Sequence, residues 1–194
     1  NGIAYVKEDS LGNIWVATNG GGLNKLDPKT GQFKHFRSDA NNQFAIAQDY
    51  TLKVLEGEGG KIWIGLGGRG LSMYDPQKEQ FSNFRFGTTD EDPFQANVVR
   101  DIYQGSGGVL WLATYKGMHR FDPKSFTNRY YVHKPDEPNS LPGNSLYSIK
   151  PDGQNGLWIT TVNNGFCHYQ IEDDVFTHYN SREKTVNLGD NSFF

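Results

Sequence analysis

The sequence predicts an all-β protein built from four copies of a four-stranded antiparallel sheet. Two observations carry this prediction: a repeat of about 48 residues and, within each copy, short apolar segments separated by glycine-rich turns. The four tryptophans of the 194-residue chain mark the repeat, with spacings of 48, 48 and 47 residues between Trp15, Trp63, Trp111 and Trp158. A fixed period in this range is typical of repeat proteins, in which each unit packs against its neighbours.

Each copy of the repeat contains four segments with the composition of β-strands. The first alternates in character, and the second carries the tryptophan, as in Ile14–Thr18. The third begins at an apolar residue in every copy: Leu23, Leu71, Met118 and Phe166. The fourth carries aromatic residues: Phe33 and Phe36, Phe81 and Phe84, Tyr130 and Tyr131, Phe176 and Tyr179. Short turns rich in glycine and polar residues indicate that successive strands are antiparallel.

The tryptophan segment predicts how the sheets pack. Ile14, Val16 and Thr18 alternate with Trp15 and Ala17, so the two sets point to opposite faces of the strand. Both sets are apolar or small, which predicts that both faces are buried and that the indole rings belong to the core. A sheet packed between two similar sheets is a blade of a β-propeller. A helical solenoid is the competing class, but no apolar period of 3.6 residues is long enough for two helices per copy.

Three of the copies place Asp-Pro at the turn between the third and fourth strands, at Asp27, Asp75 and Asp122. An aspartate at the first turn position accepts hydrogen bonds from backbone N–H groups, and proline presets the next backbone angle. In the first of these turns, Gly31 supplies a positive φ. The fourth copy reads Gln170-Ile171-Glu172-Asp173 instead, so the sequence predicts another type of turn there.

On this interpretation the chain is one partial propeller domain of about four blades. The predicted blades span residues 1–39, 44–87, 96–134 and 144–180, and residues 181–194 are expected to lead into a missing blade. The period places a fifth tryptophan beyond Phe194. We therefore expect the chain to be a fragment of a larger propeller.

Composition excludes several classes of protein. The net charge is −3 and both signs are scattered along the sequence, so there is no basic stripe for nucleic acid and no polybasic membrane patch. No apolar run approaches the roughly 20 residues that a membrane-spanning helix needs. The single cysteine, Cys167, excludes an internal disulfide, so stability is expected to come from packing.

The assembled residues resemble a known family, the two-component regulator propeller repeats of bacterial sensor proteins. The family pattern is Gly-x-Ile-Trp-Ile-Gly-Thr, a glycine-rich turn, Gly-Leu, Tyr-Asp-Pro, and phenylalanine with an aromatic residue nearby. Segments 12–36 and 60–84 match almost throughout, 108–123 matches with one residue missing, and 156–179 matches without Asp-Pro. Residues 139–144, Asn-Ser-Leu-Pro-Gly-Asn, are similar to the Asn-x-Ser-Leu linker that precedes a new blade.

This resemblance implies the periplasmic sensor region of a histidine kinase or hybrid two-component regulator of the Bacteroidetes type. Such sensors detect breakdown products of complex carbohydrates and regulate polysaccharide-utilisation genes. Their propellers usually have about seven blades, followed by an immunoglobulin-like module, a membrane helix and the kinase. The resemblance thus implies a soluble fragment of a parent protein that is anchored in the inner membrane.

Candidate catalytic and metal sites are weak. Asp27, Asp75 and Asp122 could serve as hydrolase carboxylates, but each begins a turn of its own blade, whereas glycosidases need two carboxyl groups about 5 to 10 Å apart. The histidines lack zinc-ligand spacing, and residues 152–156 lack the ligand pattern of a calcium loop. Cys167 and His168 are strand neighbours that face opposite ways. The glycine-rich turns at 20–22 and 67–70 precede no helix, so no nucleotide cofactor is predicted.

The best candidate binding residues lie where the copies differ. In a four-stranded blade, the turn between the second and third strands lies at the same end as the connection between blades. These turns carry a different set of polar residues in each copy: Asn19, Arg69, Tyr115 with Lys116, and Asn163 with Asn164. Loops on a rigid scaffold commonly carry binding residues, and these types suit sugar hydroxyls and anionic groups.

The sequence therefore favours a non-catalytic fragment that senses a ligand, with an oligosaccharide as the expected partner. A propeller hydrolase or lyase is the second class, and a protein-interaction scaffold is the third. Because four blades of a larger ring leave two sheet faces without a neighbour, we also expect the chain to self-associate through its open blades.

Overall fold

The computed structural model describes residues 2–87 and 93–179. The expected lead-in, residues 181–194, lies outside the described residues. Four antiparallel sheets, each with its strands in chain order, occupy the described part of the chain. The prediction of an all-β fold made of four-stranded propeller blades is thereby confirmed. Among the described residues, no helix has the length and apolar character of a membrane span.

The first two sheets share one pattern of strands and turns. Sheet 1 contains β1 (Ile3–Glu8), β2 (Ile14–Thr18), β3 (Leu23–Asp27) and β4 (Gln32–Phe36). Sheet 2 contains β5 (Thr51–Glu56), β6 (Ile62–Leu66), β7 (Leu71–Asp75) and β8 (Gln80–Phe84). A short 3₁₀ turn, Glu58–Gly60, joins β5 to β6, and a four-residue helix α1, Pro93–Ala96, precedes the third sheet.

The third and fourth sheets repeat that pattern. Sheet 3 contains β9 (Val99–Gln104), β10 (Leu110–Thr114), β11 (Gly117–Asp122) and β12 (Thr127–Tyr131), with a 3₁₀ turn at Ser106–Gly108. Sheet 4 contains β13 (Leu146–Pro151), β14 (Gly156–Thr161), β15 (Phe166–Gln170) and β16 (Val175–Tyr179). The chain divides after Arg100 into two compact units, which we call unit 1 and unit 2.

In unit 1, the tryptophan face of sheet 1 packs on the isoleucine face of sheet 2. The Trp15 ring is buried with centroids 5.9 Å from Phe36 and 5.7 Å from Tyr74. Ile62, Ile64 and Leu66, which share one face of β6, belong to the same core. Full burial of one such aliphatic side chain contributes about 1.5–3 kcal/mol relative to its exposure. This contact therefore holds the two sheets together.

Unit 2 repeats the same contact between sheets 3 and 4. The Trp111 ring is buried 5.6 Å from the ring of Tyr169. Leu157, Ile159 and Cys167 come from the facing side of sheet 4 and belong to the same core. In both units, therefore, the tryptophan face of one sheet meets the aliphatic face of the sheet that follows it.

The prediction that both faces of every tryptophan strand are buried holds for two strands and is wrong for two. All five residues of β6 and of β10 are buried. On β2, however, Ile14 and Val16 are only partly buried. On β14, Trp158 is 37% exposed, and its ring neighbours Phe166 and Tyr179 lie on the same half-open face. We call the face of sheet 1 with Ile14 and Val16 and the face of sheet 4 with Trp158 the half-open faces. Each points away from the core of its unit.

The Asp-Pro turns form as the sequence predicts. The carboxylates of Asp27, Asp75 and Asp122 each accept a hydrogen bond from the backbone N–H two residues later, at 2.9, 3.0 and 2.8 Å. The fifth residue of each turn adopts a positive φ: Gly31, Glu79, Phe126 and, in the fourth copy, Asp174. The expected difference of turn type in the fourth copy is therefore wrong for this position, because its backbone reaches the same left-handed conformation without Asp-Pro.

Candidate functional site

The turn between the second and third strands of each sheet lies beside the connections between sheets, as the sequence predicts. In sheet 1, the N–H of Gly22 donates to Asp49 O at 2.8 Å, and Asn19 forms a β-bridge with Tyr50. In sheet 2, the N–H of Gly70 donates to Asn97 O at 2.8 Å. We call this end of the sheets the connection end. The bonds fix each turn against a backbone segment, which is what a rigid binding loop needs.

The predicted binding residues all lie at the connection end of their own sheet. Asn19 and Arg69 are exposed in two different turns of unit 1. Tyr115 and Lys116 share a turn of unit 2 and are half-buried there, and the hydroxyl of Tyr130 donates to the carbonyl oxygen of Lys116. The remaining pair of asparagines occupies one exposed turn.

That last turn is held close to the connection before it. The N–H of Asn164 donates to the Thr161 hydroxyl at 2.9 Å, while Asn163 is exposed beside it. A methyl group on Gly143 would lie only 2.5 Å from Oδ1 of Asn164, so the connection passes directly against this side chain. The six residues thus form separate polar turns on two units, and their role in binding stays a prediction.

A depression also lies on sheet 1, with a volume of about 460 Å³. It is lined by Thr18, Gly21, Asn24, His35 and Arg37. Its polar groups are engaged with the sheet and with the connection that follows it: Nδ1 of His35 lies 2.6 Å from Oδ1 of Asn24, and Arg37 donates to Gly20 O at 2.9 Å and to Asp49 at 3.2 Å. The depression belongs to the half-open face that carries Val16.

At the end of unit 2 opposite to the connection end, a cleft of about 160 Å³ lies between sheets 3 and 4. We call it the turn-end cleft, because the turns that begin at Gly105 and at Pro151 form its rim. Polar and aromatic side chains line it: Tyr103, Ser106, Trp111, Arg120, Gln154 and Asn155. None of these residues is among the six candidate binding residues that the sequence predicts.

A second recess, of about 210 Å³, adjoins the cleft on sheet 4. Here the carboxylate of Asp152 accepts hydrogen bonds from Gln154 N at 2.8 Å and Gly156 N at 2.9 Å, and lies 2.8 Å from Nε2 of His168. The bond from Gln154 N and the contact with His168 hold the pKa of Asp152 below its usual range. In the described part of the chain, no group of three His, Cys, Asp or Glu side chains could hold a metal ion.

The groups that were weighed as catalytic candidates have structural roles in the fold. The backbone N–H of Lys29 lowers the pKa of Asp27, and that of Lys124 lowers the pKa of Asp122, so both carboxylates are stabilised as acceptors within their turns. Cys167 is fully buried, and burial raises the pKa of its thiol. A buried thiol of raised pKa is a poor nucleophile, in agreement with its assignment to the core.

Two of the four sheets match a known family in sequence. The sequence profile of the two-component regulator propeller matches residues 93–116 and 140–163. Each match runs from the connection before a sheet through its tryptophan strand. Two segments of the chain therefore match two-component regulator propeller repeats. The matched regulator repeats are those of sheets 3 and 4, although the motifs of sheets 1 and 2 fit the family pattern more completely.

Solved structures show the same fold around these regulator repeats. The extracellular domain of a putative hybrid two-component system from B. thetaiotaomicron superposes with a TM-score of 0.74 at 26% identity, over 99% of this chain and 23% of that one. A second such domain from B. thetaiotaomicron gives 0.56 at 15% identity, over 96% of this chain and 30% of that one. This chain therefore spans less than a third of either domain.

A virginiamycin B lyase from Staphylococcus aureus has a similar fold, with a TM-score of 0.69 at 13% identity, over 92% of this chain and 55% of the lyase. At that identity the likeness concerns the fold alone. No curated protein matches the chain in sequence.

Proposed function

We propose that this chain is a ligand-sensing part of the extracellular region of a two-component sensor. The observation that carries the proposal is the similarity, at 26% identity over 99% of the chain, to the extracellular domain of a putative hybrid two-component system. The regulator propeller repeats at residues 93–116 and 140–163 support it independently. The location that follows is the periplasm, in a parent protein held in the inner membrane by segments outside this chain.

The proposed ligand is an oligosaccharide bound at the connection end. Each unit offers its own set of groups. In unit 1, Arg69 supplies a cationic donor and Asn19 an amide. In unit 2, Lys116 supplies a cationic donor, Asn163 and Asn164 supply amides, and Tyr115 supplies an aromatic ring. These groups suit sugar hydroxyls, sulfates and carboxylates. Ligand binding would shift the signalling equilibrium of the parent kinase by the difference in affinity between its two states. The product of that shift would be altered expression of polysaccharide-utilisation genes.

The chain itself is proposed to be non-catalytic. Its Asp-Pro carboxylates are each bound to the backbone of their own turn, and its single thiol is buried. These contacts support the proposal, because they give both kinds of group a structural role. The similarity to a lyase concerns the fold, and a fold hosts many unrelated functions.

The first test is calorimetric titration of the chain, and of the full extracellular region of its parent, with a panel of oligosaccharides. We expect one glycan class to bind, and Arg69→Ala to weaken that binding. Lys29→Ala is the matched control, because it also removes one exposed cation from a turn but lies at the other end of sheet 1. If Arg69→Ala and Lys29→Ala bind equally well, the assignment of the connection end is wrong.

The sensor role itself is tested in cells that carry the parent protein. Deletion of this propeller segment should abolish glycan-dependent expression of the regulated genes. If the extracellular region binds no glycan and the deletion leaves signalling intact, the proposed function is overturned.

A further inference from the structure

The turn-end cleft of unit 2 differs from the equivalent place in unit 1 in a way that indicates a ligand. The two units repeat the same sheet pair, so each residue of unit 2 has a counterpart 95 or 96 positions earlier, as Trp111 has Trp15. In unit 1 the place is filled by side chains of the protein itself. In unit 2 two of those side chains are missing, and the cleft is what remains.

The first missing side chain is a carboxylate. In unit 1, Oδ2 of Asp9 accepts a hydrogen bond from Nε1 of Trp15 at 2.7 Å. Oδ1 of the same carboxylate accepts from the backbone N–H groups of Leu11 at 3.0 Å and Asn13 at 2.8 Å. The counterpart of Asp9 in unit 2 is Gly105, which has no side chain.

The donors that a carboxylate would bind are retained in unit 2. The indole of Trp111 presents Nε1 toward Gly105, since a methyl group on Gly105 would lie 3.2 Å from that nitrogen. No described residue accepts a hydrogen bond from it. The two turns also share their backbone hydrogen bonds: Asp9 N to Asn13 O at 2.9 Å and Gly105 N to Val109 O at 2.8 Å. The carboxylate position of unit 1 is therefore preserved in unit 2 but left without an acceptor.

The second missing side chain opens the cleft. In unit 1, the carboxylate of Glu56 on sheet 2 reaches across to sheet 1 and accepts from the backbone N–H of Ser10 at 2.7 Å and from its hydroxyl. The counterparts in unit 2 are Pro151 and Ser106. Because proline cannot make that bridge, Ser106 lines an open cleft.

The charge in the cleft favours an anion. The guanidinium of Arg120 lies over the Trp111 ring, with Cζ 5.8 Å from the ring centroid. No described residue forms an ion pair or a hydrogen bond with this guanidinium. Two nearby carboxylates already have partners: Glu172 accepts from Asn155 of the cleft lining at 2.9 Å, and Asp152 is held by its own turn and by His168. A ligand carboxylate would thus meet one cation and one unpaired indole N–H.

We infer that the turn-end cleft binds a small carboxylated sugar, a hexuronate, whose carboxylate takes the position that the Asp9 side chain occupies in unit 1. Trp111 Nε1 and Arg120 bind the carboxylate, and Ser106, Gln154 and Tyr103 at the rim bind the hydroxyl groups. The volume of about 160 Å³ corresponds to about five water molecules of about 30 Å³ each, which suits one sugar ring. The site does not depend on the proposed signalling role or on the connection end.

The test is titration of the full chain, labelled with ¹⁵N, with galacturonate, and separately with galactose and acetate. The indole N–H signals, assigned by single Trp→Phe variants, report on each tryptophan separately. Galacturonate should shift the Trp111 signal more than that of Trp15, whose N–H is occupied by Asp9. Galactose should bind at least tenfold more weakly, because it lacks the charge-assisted hydrogen bonds. Acetate should shift the same signal at higher concentration.

Two variants decide the geometry. Gly105→Asp should restore the internal carboxylate of unit 1 and abolish galacturonate binding. The φ of −88° at Gly105 suits an aspartate, and the indole of Trp111, 3.2 Å from the new Cβ, needs to move by only a few tenths of an ångström. Arg120→Gln should weaken binding by about tenfold or more. Lys25→Gln is the matched control, since Lys25 lies over Trp15 at 5.5 Å in unit 1, and should leave binding unchanged. Circular dichroism and the dispersion of the other indole signals show that each variant is folded.

The inference is overturned if galacturonate leaves the Trp111 signal unchanged, if galactose binds as tightly, or if folded Gly105→Asp and Arg120→Gln bind like the parent chain. A glycan that binds at the connection end, sensitive to Arg69→Ala and not to Gly105→Asp, would preserve the proposed sensor function and refute this site. If galacturonate binds in the turn-end cleft but the propeller has no effect on signalling, the cleft site would stand and the proposed sensor function would be refuted.

Discussion

Gly31 shows how a single backbone angle constrains this repeat. It ends the first Asp-Pro turn with a φ of 70°, and no atom lies within 4 Å of the position its methyl group would take. Gly31→Ala therefore tests backbone strain without a steric clash, and we expect it to destabilise the chain by about 1 kcal/mol. Gly87→Ala is the matched control, because its surroundings are equally open and its φ is not in the positive range. Urea denaturation should show unchanged or slightly raised stability for Gly87→Ala and a loss for Gly31→Ala.

His119 gives the fold a predicted dependence on pH. Its ring is buried on sheet 3 and stacks on Tyr130 at 4.6 Å, and burial lowers its pKa to about 4. Protonation thus favours the unfolded chain, in which a histidine titrates near 6.5. The stabilisation is complete above pH 6.5 and is lost progressively as the pH falls toward 4. By pH 5 the loss should be about 2 kcal/mol.

The measurement is the free energy of unfolding from pH 7 to pH 4.5 in the parent chain and in His119→Ser, which places at this position the residue that sheet 2 has at Ser72. The variant is expected to be less stable at pH 7 but to lose less stability on acidification. Equal slopes for the two proteins would show that His119 does not titrate during unfolding. The slope remains informative even though the substitution leaves a cavity.

Residue by residue, the sequence was most informative where the copies agree. The tryptophans, the Asp-Pro pairs and the strand starts repeat at fixed spacing, and such agreement predicted the sheets and the core position of Trp15 and Trp111. It was least informative where one copy lacks a carboxylate side chain that another copy has. Gly105 and Pro151 look like ordinary turn residues in the sequence, and only the hydrogen bonds of Asp9 and Glu56 show what they lack.

At the level of elements, each unit has a charged pair that joins a fourth strand to the next sheet's last turn. In unit 1, Nζ of Lys34 on β4 lies 2.5 Å from the carboxylate of Glu79, and in unit 2 Arg129 on β12 pairs with Asp174. Each cation also lies over an aromatic ring of its own strand, Phe36 or Tyr131. The hydrogen bond from Lys34 holds the pKa of Glu79 below its usual range.

At Glu79, an exposed ion pair stabilises the fold while a left-handed backbone conformation destabilises it, so the net effect depends on which free energy is larger. An exposed pair contributes about 0.2–1 kcal/mol, whereas a left-handed conformation costs a non-glycine residue about 1–2 kcal/mol. We therefore expect Glu79→Gly to be neutral or stabilising and Glu79→Gln to destabilise slightly. Chemical denaturation at low and high salt checks this, since only the ion-pair contribution should weaken with salt. A clear loss of stability in Glu79→Gly would mean that the pair outweighs the strain.

The loop prediction was correct at the level of elements and incomplete at the level of the site. The turn of Asn19 does lie beside the connection at Asp49 and Tyr50, because the alternation of antiparallel strands fixes which turns share an end. The turn-end cleft could not be found in this way. Its depth depends on the spacing of sheets 3 and 4 around Trp111 and Arg120, which the strand pattern alone does not determine.

At the level of the whole molecule, the two half-open faces are complementary. Sheet 4 presents an aromatic face made of Trp158, Phe166 and Tyr179. Inside each unit, the equivalent tryptophan face is covered by the aliphatic face of the next sheet. Sheet 1 presents Ile14 and Val16, the counterparts of the β6 residues that cover Trp15. The repeat thus provides a pair of surfaces that match in the same way as the internal contacts.

We expect a second copy of this chain to dock with its sheet 1 on the Trp158 face, so that the contact is head-to-tail. Sedimentation should show association that increases with concentration, and either Trp158→Lys or Val16→Lys should weaken it, because each places a charge in the apolar contact. Leu11→Lys is the control, since Leu11 is 80% exposed in a turn away from both faces. Mixing the two interface variants should restore one heterodimeric contact, because the Trp158 face of Val16→Lys and the sheet 1 face of Trp158→Lys are both intact. A parent chain that stays monomeric at high concentration, or a mixture that fails to associate when the parent does, would contradict the head-to-tail contact.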